Sequence, residues 1–405
     1  MSAILIAHAT QTGCAEDFAE TLHSRMAQEK LDSELMCMSE VSPERLSAAQ
    51  KIVFFAATTG DGDAPFLVED AVDEWMSQPM DLAGREVLTM ALGDQHYENF
   101  AAFGQRVHKW ATDSQASTDV VLIDNLDPAD LEKWDQLLEA HALPPISRER
   151  KSQALNWRIT QRSLVAEGNP DRSKESWAAG LYRVKIKPEG EMPPYEVGDL
   201  FEWCDPDGTR RDFSVASVPG DEELDFFVRR IELADGGMGR GSHALTAHDA
   251  GAPVAGRMKK YGVFHKTKGS GPLVAIAAGS GWGGIRAHIV AAIEAKRPVW
   301  LFFGDRGPSS DLPLFEEMRA WQASGAIERL DLALSRSEDG PSRYVQDALA
   351  ARAAELPAFL GGDGAVITCG ATAMGEAVRE ELVKALGADW ITGARGQSRW
   401  REALY

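Results

Sequence analysis

Near its N-terminus the chain contains the stretch Ala3-Ile4-Leu5-Ile6-Ala7-His8-Ala9-Thr10-Gln11-Thr12-Gly13-Cys14-Ala15-Glu16. Its apolar part, Ala3–His8, has the length of a buried strand, and the following segment, Glu16–Met26, has apolar residues at helical spacing. A loop rich in hydroxyl groups and glycine lies between them. A strand, a polar loop and a helix in this order are typical of the first unit of an α/β fold.

Four further apolar runs follow in the first third of the chain: Glu34–Met38, Lys51–Ala57, Glu86–Leu92 and Asp119–Ile123. Segments with helical spacing, such as Pro65–Met76, lie between most of them. This alternation predicts a parallel sheet covered by helices on both faces. Sheets of this kind bind ligands in the loops beyond the carboxyl ends of their strands.

The rest of the chain predicts a linker, a small antiparallel β-barrel and a second α/β part. The linker signal is the proline-rich and charged segment His141–Ser152. Short apolar runs separated by Pro, Gly and Asp turns, from about Ala179 to Gly256, are typical of a barrel. Strand–helix alternation returns after Pro272. We therefore expect domains at residues 1–142, 156–268 and 269–405, joined by a linker at 143–155.

Composition narrows the class of protein. The 405 residues are 44% hydrophobic, as in ordinary globular proteins, and no apolar run reaches the roughly 18 residues that a membrane span needs. The N-terminus lacks the basic region and cleavage site of a secretory signal. The four cysteines are scattered, which argues against metal sites and disulfides. We expect a cytoplasmic protein without a membrane anchor and without a metal.

The net charge of −20 is unevenly distributed. Residues 1–147 hold 26 Asp and Glu against 8 Lys and Arg, a net charge of −18, which leaves −2 for the remainder. Nucleic-acid binding is disfavoured, because phosphate contacts need Lys and Arg. The acidic part is either a solubilising surface or a docking surface for a basic partner.

The loop His8–Glu16 offers hydroxyl groups and backbone N–H groups at the start of a helix, an arrangement that binds phosphate. It contains no lysine, so it is not the P-loop of a nucleoside triphosphatase. A turn that merely caps the helix would have a similar composition. This loop alone leaves both interpretations open.

Two further polar loops follow predicted strands, at Thr58–Asp63 and Leu92–Phe100. Together the three loops resemble the FMN site of flavodoxins, where the first loop holds the ribityl phosphate and the other two enclose the isoalloxazine ring. In this resemblance Tyr97 stacks on the ring, and Thr59 stands where relatives carry a second aromatic residue. The implied FMN-binding residues are Thr10, Gln11, Thr12, Gly13, Cys14, Ala15, Thr58, Thr59, Gly60, Leu92, Gly93, Asp94, Tyr97 and Phe100.

Two motifs in the predicted barrel resemble the FAD site of the ferredoxin–NADP reductase family. Arg211-Asp212-Phe213-Ser214 is similar to the signature in which Arg pairs with the FAD pyrophosphate and Ser lies near flavin N5. Gly239-Arg240-Gly241-Ser242 is similar to the family's pyrophosphate loop. The implied FAD-binding residues are Arg211, Asp212, Phe213, Ser214, Gly239, Gly241, Ser242 and, at the chain end, Tyr405.

The last part of the chain resembles the NADP-binding half of the same family. Gly279-Ser280-Gly281 opens a glycine-rich loop after a strand, with Gly283-Gly284 where relatives have Ala-Pro. Ser335-Arg336 and the segment Ser342–Gln346 are similar to the elements that bind the adenosine 2′-phosphate, with Ser342 at the usual lysine position. The implied coenzyme-binding residues are Gly279, Ser280, Gly281, Ser335, Arg336, Arg343, Tyr344 and Gln346.

Three residues are expected at the site of hydride transfer in this resemblance. They are Ser214, Cys369 and the terminal aromatic residue Tyr405, which covers the FAD ring. Many relatives carry an acid two residues before the terminal aromatic. Here Ala403 occupies that position, with Glu402 beside it.

The order of all these motifs resembles the diflavin reductases, which include NADPH–cytochrome P450 reductase and the flavoprotein subunit of sulfite reductase. Only eleven residues separate Asp199 from Arg211, so the helical connecting domain of most members is expected to be absent. The resemblance implies FAD, FMN and NADPH as cofactors, and a separate haem or iron–sulfur protein as electron acceptor. A sulfite reductase component, an NAD(P)H:flavin reductase and a non-catalytic flavin-binding module remain alternatives.

Overall fold

We describe the fold from a computed structural model. It describes residues 4–11, 13–59, 62–95, 99–124, 126–146, 155–168, 176–205, 209–233, 236–265, 267, 269–306, 313–336 and 343–405. The chain divides into two units, Met1–Ser152 and Gln153–Tyr405. Across these described ranges, no helix is both long enough and apolar enough to cross a membrane.

The first unit contains a parallel sheet with helices on both faces, as the alternating apolar runs predicted. Its strands are β1 (Ile4–Ala9), β2 (Ser33–Cys37), β3 (Lys51–Ala57), β4 (Glu86–Gly93) and β5 (Ser117–Asp124). Its helices are α1 (Cys14–Gln28), α2 (Pro43–Ala48), α3 (Glu69–Trp75), α4 (Ala102–Asp113) and α5 (Pro128–Ala140). The strand order β2-β1-β3-β4-β5 is that of flavodoxin-like folds.

Each face of this sheet has its own apolar core. Phe54, Trp75 and Trp110 belong to the core beneath α2, α3 and α4. Phe18 and Trp134 belong to the core beneath α1 and α5. Because both faces are covered, the central strands are mostly apolar, and this explains why β3 is continuously hydrophobic after its first residue, Lys51.

The second unit begins with an antiparallel sheet that curls into a nearly closed barrel. Its strands are β6 (Leu155–Glu167), β7 (Ser176–Pro188), β8 (Leu200–Cys204), β9 (Arg210–Ser214), β10 (Leu224–Leu233) and β11 (Pro253–Lys259), with the short helix α6 (Arg240–Thr246). The strand order is β10-β7-β6-β11-β8-β9. The two edge strands approach each other where the N–H of Ala216 donates to the carbonyl of Asp225 at 2.7 Å.

The hairpin β8–β9 lies where most diflavin reductases are expected to insert a connecting domain. Leu200 pairs with Ser214 at one end of the hairpin and Cys204 pairs with Arg210 at the other, so that only residues 205–209 connect the two strands. A connection of this length cannot contain a domain.

A second parallel sheet follows, built from β12 (Leu273–Ala278), β13 (Val299–Asp305), β14 (Arg329–Leu334), β15 (Ala365–Gly370) and β16 (Trp400–Leu404). Its helices are α7 (Trp282–Glu294), α8 (Pro313–Ser324), α9 (Val345–Ala351), α10 (Leu356–Leu360), α11 (Thr372–Leu386) and α12 (Ala388–Gly396). The strand order is β14-β13-β12-β15-β16, so the chain reverses direction across the sheet between β12 and β15. The expected fold class, a flavodoxin-like domain followed by a barrel and an α/β domain, is confirmed.

Helix α7 connects this sheet to the barrel. The Arg286 guanidinium donates to the carbonyl of Ala216 at 2.7 Å and holds both oxygens of Glu317 at 2.6 and 2.8 Å. Ala287 and Ala291 pack against Val197 and Val218. The loop that enters α7 is therefore fixed against the barrel.

Candidate functional site

The carboxyl edge of the first sheet brings together the loops after β1, β3 and β4. The N–H of Thr58 donates to the carbonyl of Leu92 at 3.0 Å, and the hydroxyl of Thr58 accepts from the N–H of Phe103 at 3.2 Å. These bonds hold the second and third loops side by side. The strand order changes direction between β1 and β3, which is the switch point where flavodoxin-like sheets bind their ligand.

Thr10 has the environment expected of a phosphate-binding residue. It is 3% exposed, and its hydroxyl oxygen has no hydrogen-bond partner within the described ranges. Gly13 precedes α1 in a left-handed conformation at φ 78°, and Cys14 and Ala15 are the first residues of this helix of 15 residues. A buried hydroxyl without a partner beside the N-terminus of a long helix fits the phosphate of FMN.

The third loop packs closely against the second. A Cβ at Gly62 would lie 2.9 Å from Cβ of Asn99, and one at Gly93 would lie 2.6 Å from the amide nitrogen of Ala101. Asp94 and Phe100 lie in this loop and are partly buried. The predicted residues Thr12, Gly60 and Tyr97 lie outside the described residues, as does Ser342 of the coenzyme segment.

The two predicted FAD motifs meet at Gly241. A Cβ on this residue would lie 2.8 Å from Cγ of Arg211 and 3.3 Å from Cζ of Phe213. The hydroxyl of Ser242 donates to the carbonyl of Gly239 at 2.9 Å, which shapes the loop. The Arg211 guanidinium donates to its neighbour's carbonyl and has no carboxylate partner in the described part of the chain. An exposed cation beside a loop of small residues fits the pyrophosphate of FAD.

The remaining member of this motif, Asp212, is turned the other way. Along a strand, side chains alternate between faces, and Asp212 pairs with the buried Lys259 at 2.7 Å. Nearby, the buried carboxylate of Glu202 binds Arg210 and Arg257, each at 2.7 Å. Although burial opposes it, Arg257 and Arg210 hold the pKa of Glu202 below its usual range. These ion pairs stabilise the β8–β9 hairpin that carries Arg211.

Two of the three residues expected at the hydride site, Ser214 and Cys369, come together around Gly284. A Cβ on Gly284 would overlap the thiol of Cys369 and lie 3.5 Å from the hydroxyl of Ser214. Ser214 ends β9 of the barrel, whereas Cys369 lies in β15 of the parallel sheet. The site thus lies at the switch point between β12 and β15, where this class of sheet binds dinucleotides.

The thiol of Cys369 is protonated at neutral pH. Cys369 is fully buried, and this burial raises its pKa to about 12, although the N–H of Gly284 donates to the sulfur. The thiol therefore offers a compact apolar surface and a weak S–H donor rather than a nucleophile.

Tyr405 reaches the same cluster from the chain end. Its hydroxyl lies 2.7 Å from the hydroxyl of Ser280 in the glycine-rich loop. The residue is 62% exposed, but its hydroxyl lies among buried groups, and this desolvation raises the pKa of Tyr405. The backbone at Tyr405 is fixed by hydrogen bonds to Gly370 at 3.1 Å and from Thr372 at 3.2 Å.

Glu402 does not replace the acid that is missing at Ala403. Ala403 is the register partner of Cys369, whereas Glu402 pairs with the preceding residue of β15 and points to the opposite face. On that face its carboxylate accepts from Arg379 of α11 at 3.0 Å. Burial raises the pKa of Glu402, although Arg379 opposes this.

The residues expected to bind the adenosine 2′-phosphate lie at the carboxyl edge of the second parallel sheet. Ser335 and Arg336 directly follow β14, and the N–H of Ser335 donates to the carbonyl of Asp305 at 3.1 Å. Arg343 and Tyr344 directly precede α9, and both are exposed. Gln346 lies in the first turn of this helix. The position and charge of this group suit a phosphate.

Comparisons with known proteins agree with this geometry. Residues 6–142 match the flavodoxin family model, and residues 275–380 match the model of the oxidoreductase NAD-binding domain. The sulfite reductase [NADPH] flavoprotein alpha-component of Thiocapsa roseopersicina is 26% identical over 94% of this chain and 83% of its own length. The chain belongs to the diflavin reductase family. It is an NADPH-dependent flavoprotein reductase with FMN, FAD and NADPH as cofactors.

Other relatives of this diflavin reductase match over shorter stretches. The nitric oxide synthase of Bombyx mori is 34% identical over 29% of the chain and 11% of its own length. The bifunctional cytochrome P450/NADPH–P450 reductase of Fusarium oxysporum is 31% identical over 28% of the chain and 11% of its own length. These matches support the family and leave the electron acceptor open.

The structure also places residues at the reductase's site that sequence reasoning missed. Arg229 of β10 lies against Gly279 and forms an ion pair with Asp305 at 3.5 Å. The signal in the sequence is a pair of arginines, Arg229-Arg230, that interrupts the apolar run beginning at Leu224. Two arginines within an apolar run show that positive charge is present on this strand, but they do not show which residues the arginines contact.

Proposed function

We propose that this diflavin reductase delivers electrons from NADPH to a separate protein that contains a haem or an iron–sulfur centre. When bound, FAD and FMN would supply the chemistry that converts a two-electron hydride from the nicotinamide into single electrons. The chain itself would hold and orient these groups: Ser214 and Cys369 would flank the hydride site, Arg211 with Ser242 would bind FAD, and Thr10 would bind the phosphate of FMN. The distribution of charge in the first unit carries the proposal.

The first unit separates its charges along the strand direction. Acidic residues lie in the loops after β3 and β4, at the end of β5 or in the first turn of α3: Asp63, Glu69, Asp70, Asp94 and Asp124. Four bases lie at the opposite edge, in or just after α1 or close to the starts of strands, where the acids Glu29 and Asp32 also lie: Arg25, Lys30, Lys51 and Arg85. At that edge Lys51 also neutralises Glu86, with a separation of 3.0 Å.

The edge that carries the FMN loops is consequently the more negative one. A one-electron donor must dock briefly and repeatedly, and complementary charge speeds such encounters more than it tightens the complex. An acceptor with a basic face around its redox centre suits this edge. The name of the relative from Thiocapsa roseopersicina supports the narrower alternative, a flavoprotein component of sulfite reductase.

The docking proposal is tested with paired charge substitutions. The double variant Glu69→Gln/Asp70→Asn removes two acids beside the FMN loops, and Glu29→Gln/Asp32→Asn removes two exposed acids at the opposite edge. Cytochrome c serves as the basic acceptor. Its second-order reduction rate should fall severalfold in the first variant and stay near the wild-type rate in the second. Equal rates in both variants would overturn the docking site.

Ionic strength gives an independent test of the same idea. The Debye length falls from about 30 Å at 0.01 M to about 10 Å at 0.1 M salt, so wild-type reduction of cytochrome c should slow steeply over this range. The salt dependence should be weaker in Glu69→Gln/Asp70→Asn.

An NAD(P)H:flavin reductase would release its reduced flavin. We therefore expect ultrafiltration after anaerobic reduction with NADPH to leave both flavins with the protein. Flavin in the filtrate at the stoichiometry of the protein would favour that alternative over the proposal.

A further inference from the structure

Helix α11 covers one face of the last strand of the second parallel sheet. In the described sheet β16 is the edge strand, next to β15. Side chains alternate along a strand, so Glu402 and Leu404 share one face. Ala403 lies on the other face, with its register partner Cys369. One face of β16 is therefore turned to α11, and the other is turned to the hydride site.

Two contacts hold the end of β16 against the first turns of this helix. The N–H of Thr372 donates to the carbonyl of Tyr405 at 3.2 Å. A Cβ at Gly375 would overlap the side chain of Leu404, which therefore lies directly on the helix backbone. Because residues three and four apart share a face of a helix, the next contact on this side of α11 is expected at position 379.

That contact is an ion pair between Arg379 and Glu402. A guanidinium nitrogen of Arg379 donates to the carboxylate at 3.0 Å, and the side chain of Glu402 is 1% exposed. Burial raises the pKa of Glu402. Arg379 opposes this rise most strongly, followed by Trp400 and by Arg395 of α12. Arg379 is therefore the main counter-charge of a buried acid.

A movement of β16 away from α11 has to separate this pair. The carboxylate of Glu402 would then stay buried without its counter-charge, which costs much more than parting two apolar side chains, whose contact has no preferred direction. The second oxygen of Glu402 and the hydroxyl of Thr368, its buried register partner, have no hydrogen-bond partner within the described ranges. The ion pair therefore fixes β16 on α11 more strictly than apolar packing alone would.

The residue held in place by this attachment is Tyr405. It lies three positions after Glu402, and its hydroxyl is 2.7 Å from the hydroxyl of Ser280 in the glycine-rich loop. Burial raises the pKa of Tyr405 and Cys369 adds to this rise, so the hydroxyl also lies near the thiol. The side chain thus extends over the switch point between β12 and β15, where a coenzyme has to enter in order to reach Cys369.

We propose that Glu402 and Arg379 are positioning residues for coenzyme entry, whose ion pair fastens β16 to α11 and thereby keeps Tyr405 over the hydride site. A looser strand lets Tyr405 move aside at lower cost. Because apparent affinity rises with the fraction of molecules that are competent to bind, the coenzyme then binds more tightly. The inference rests on the reductase activity and is independent of the electron acceptor.

Hydrogen exchange read by mass spectrometry tests the attachment without coenzyme or turnover. Glu402→Leu removes the acceptor of Arg379, whereas Glu402→Gln keeps a carbonyl oxygen for it. Peptides covering residues 400–405 should exchange roughly ten- to hundredfold faster in Glu402→Leu, because a hydrogen bond to a charged group contributes about 1.5–3 kcal/mol. Glu402→Gln should show a smaller change. The matched control Glu381→Leu removes an ion pair with Lys384 of the same helix and should leave this segment as in wild type.

Titration of the oxidised, FAD-loaded enzyme with NADP⁺ tests the role in coenzyme entry. Binding to Glu402→Leu should tighten severalfold, and deletion of Tyr405 sets the upper limit of this gain. In the chain without Tyr405, Glu402→Leu should have no further effect, because the side chain that it positions is missing. A residue with a merely structural role would change binding equally in both chains.

Two kinds of result would overturn the proposal. Unchanged hydrogen exchange at residues 400–405 would show that the ion pair does not restrain the strand. Faster exchange with unchanged affinity for NADP⁺, or an equal change with and without Tyr405, would show that the strand does not control coenzyme entry. If Glu402→Leu does not fold, Arg379→Gln alters only the partly exposed partner and should give both expected results. Failure of the wild-type enzyme to bind NADP⁺ would refute the reductase activity and, with it, this role of Glu402.

Discussion

The hydroxyl of Tyr405 offers a direct test of how the chain end controls coenzyme access. Tyr405→Phe removes the 2.7 Å hydrogen bond to Ser280 and keeps the aromatic ring. The backbone bonds with Gly370 and Thr372 also remain, because they do not involve the side chain. If the ring covers the place where nicotinamide must react, the coenzyme has to displace it, and the lost bond makes this displacement easier.

The size of the effect follows from the worth of one hydrogen bond. A net contribution of about 0.5–1.5 kcal/mol corresponds to a two- to twelvefold change in an equilibrium constant. Binding of NADP⁺ to Tyr405→Phe should therefore tighten by about this factor, and kcat/KM with NADH should rise. Deletion of Tyr405 removes the ring as well, and it should produce a larger gain and weaken discrimination against NADH.

The assay is titration of the oxidised, FAD-loaded enzyme with NADP⁺, followed by stopped-flow reduction with NADPH and NADH. Tyr182→Phe provides the matched control, because Tyr182 lies in β7 with its ring beneath Arg230 in the barrel. Unchanged or weaker binding of NADP⁺ in Tyr405→Phe would refute the argument, since it would mean that the hydroxyl does not hold the ring over the site.

Three further predictions concern the other parts of the site. Arg336→Ala should raise the KM for NADPH by roughly ten- to hundredfold, because a charged hydrogen bond contributes about 1.5–3 kcal/mol. The KM for NADH should stay unchanged. Equal effects on both coenzymes would show that Arg336 does not bind the 2′-phosphate. Thr10→Val should lower the FMN content of purified protein relative to its FAD content, because the buried hydroxyl is replaced by a methyl group, and an unaltered ratio would contradict a phosphate at this position. The pKa of Cys369 is raised to about 12 by burial, so its proton stays bound across the working range. The rate of FAD reduction should then follow parallel pH profiles in wild type and Cys369→Ser between pH 7 and 10, and a step near pH 9 that disappears in the variant would show an ionising thiol.

Buried strands were the elements that the sequence predicted best. The apolar runs Lys51–Ala57, Leu200–Cys204 and Leu273–Ala278 coincide with β3, β8 and β12 to the residue. A strand that is covered on both faces is mostly apolar, so the polar residues at its ends mark its limits. In β8 the exception, Glu202, is buried as an ion pair with Arg210 and Arg257.

Strands with a polar face were missed because their composition resembles that of loops. β6 spans 13 residues, alternates buried and exposed positions, and its register with β7 shifts twice, at Ile159/Gln161 and Leu164/Ala166. β16 contains the charged residues Arg401 and Glu402. The buried carboxylate of Glu402 is tolerated because Arg379 binds it, and no local pattern announces a partner 23 positions away.

The sequence likewise predicted one part of the candidate site and missed another. Motifs such as Gly279–Gly281 are contiguous and can be recognised from their residues alone. Contacts between distant segments cannot be recognised in this way, because the sequence around one residue does not indicate which distant residue it contacts. Arg229 and Gly279 are 50 positions apart, and Gly284 lies close to both Ser214 of the barrel and Cys369 of the parallel sheet.

Such distant contacts also explain the second of the two glycines, Gly283 and Gly284, that stand where related loops carry Ala-Pro. Gly283 is not crowded: a Cβ there would lie at ordinary contact distance, 3.4 Å from the nearest atom, the amide nitrogen of Phe227. At Gly284 a Cβ would overlap the thiol of Cys369, which is held by β15. A side chain at position 284 would therefore displace the thiol. The second glycine is therefore required by the packing around Cys369, whereas the first is a substitution that the packing permits.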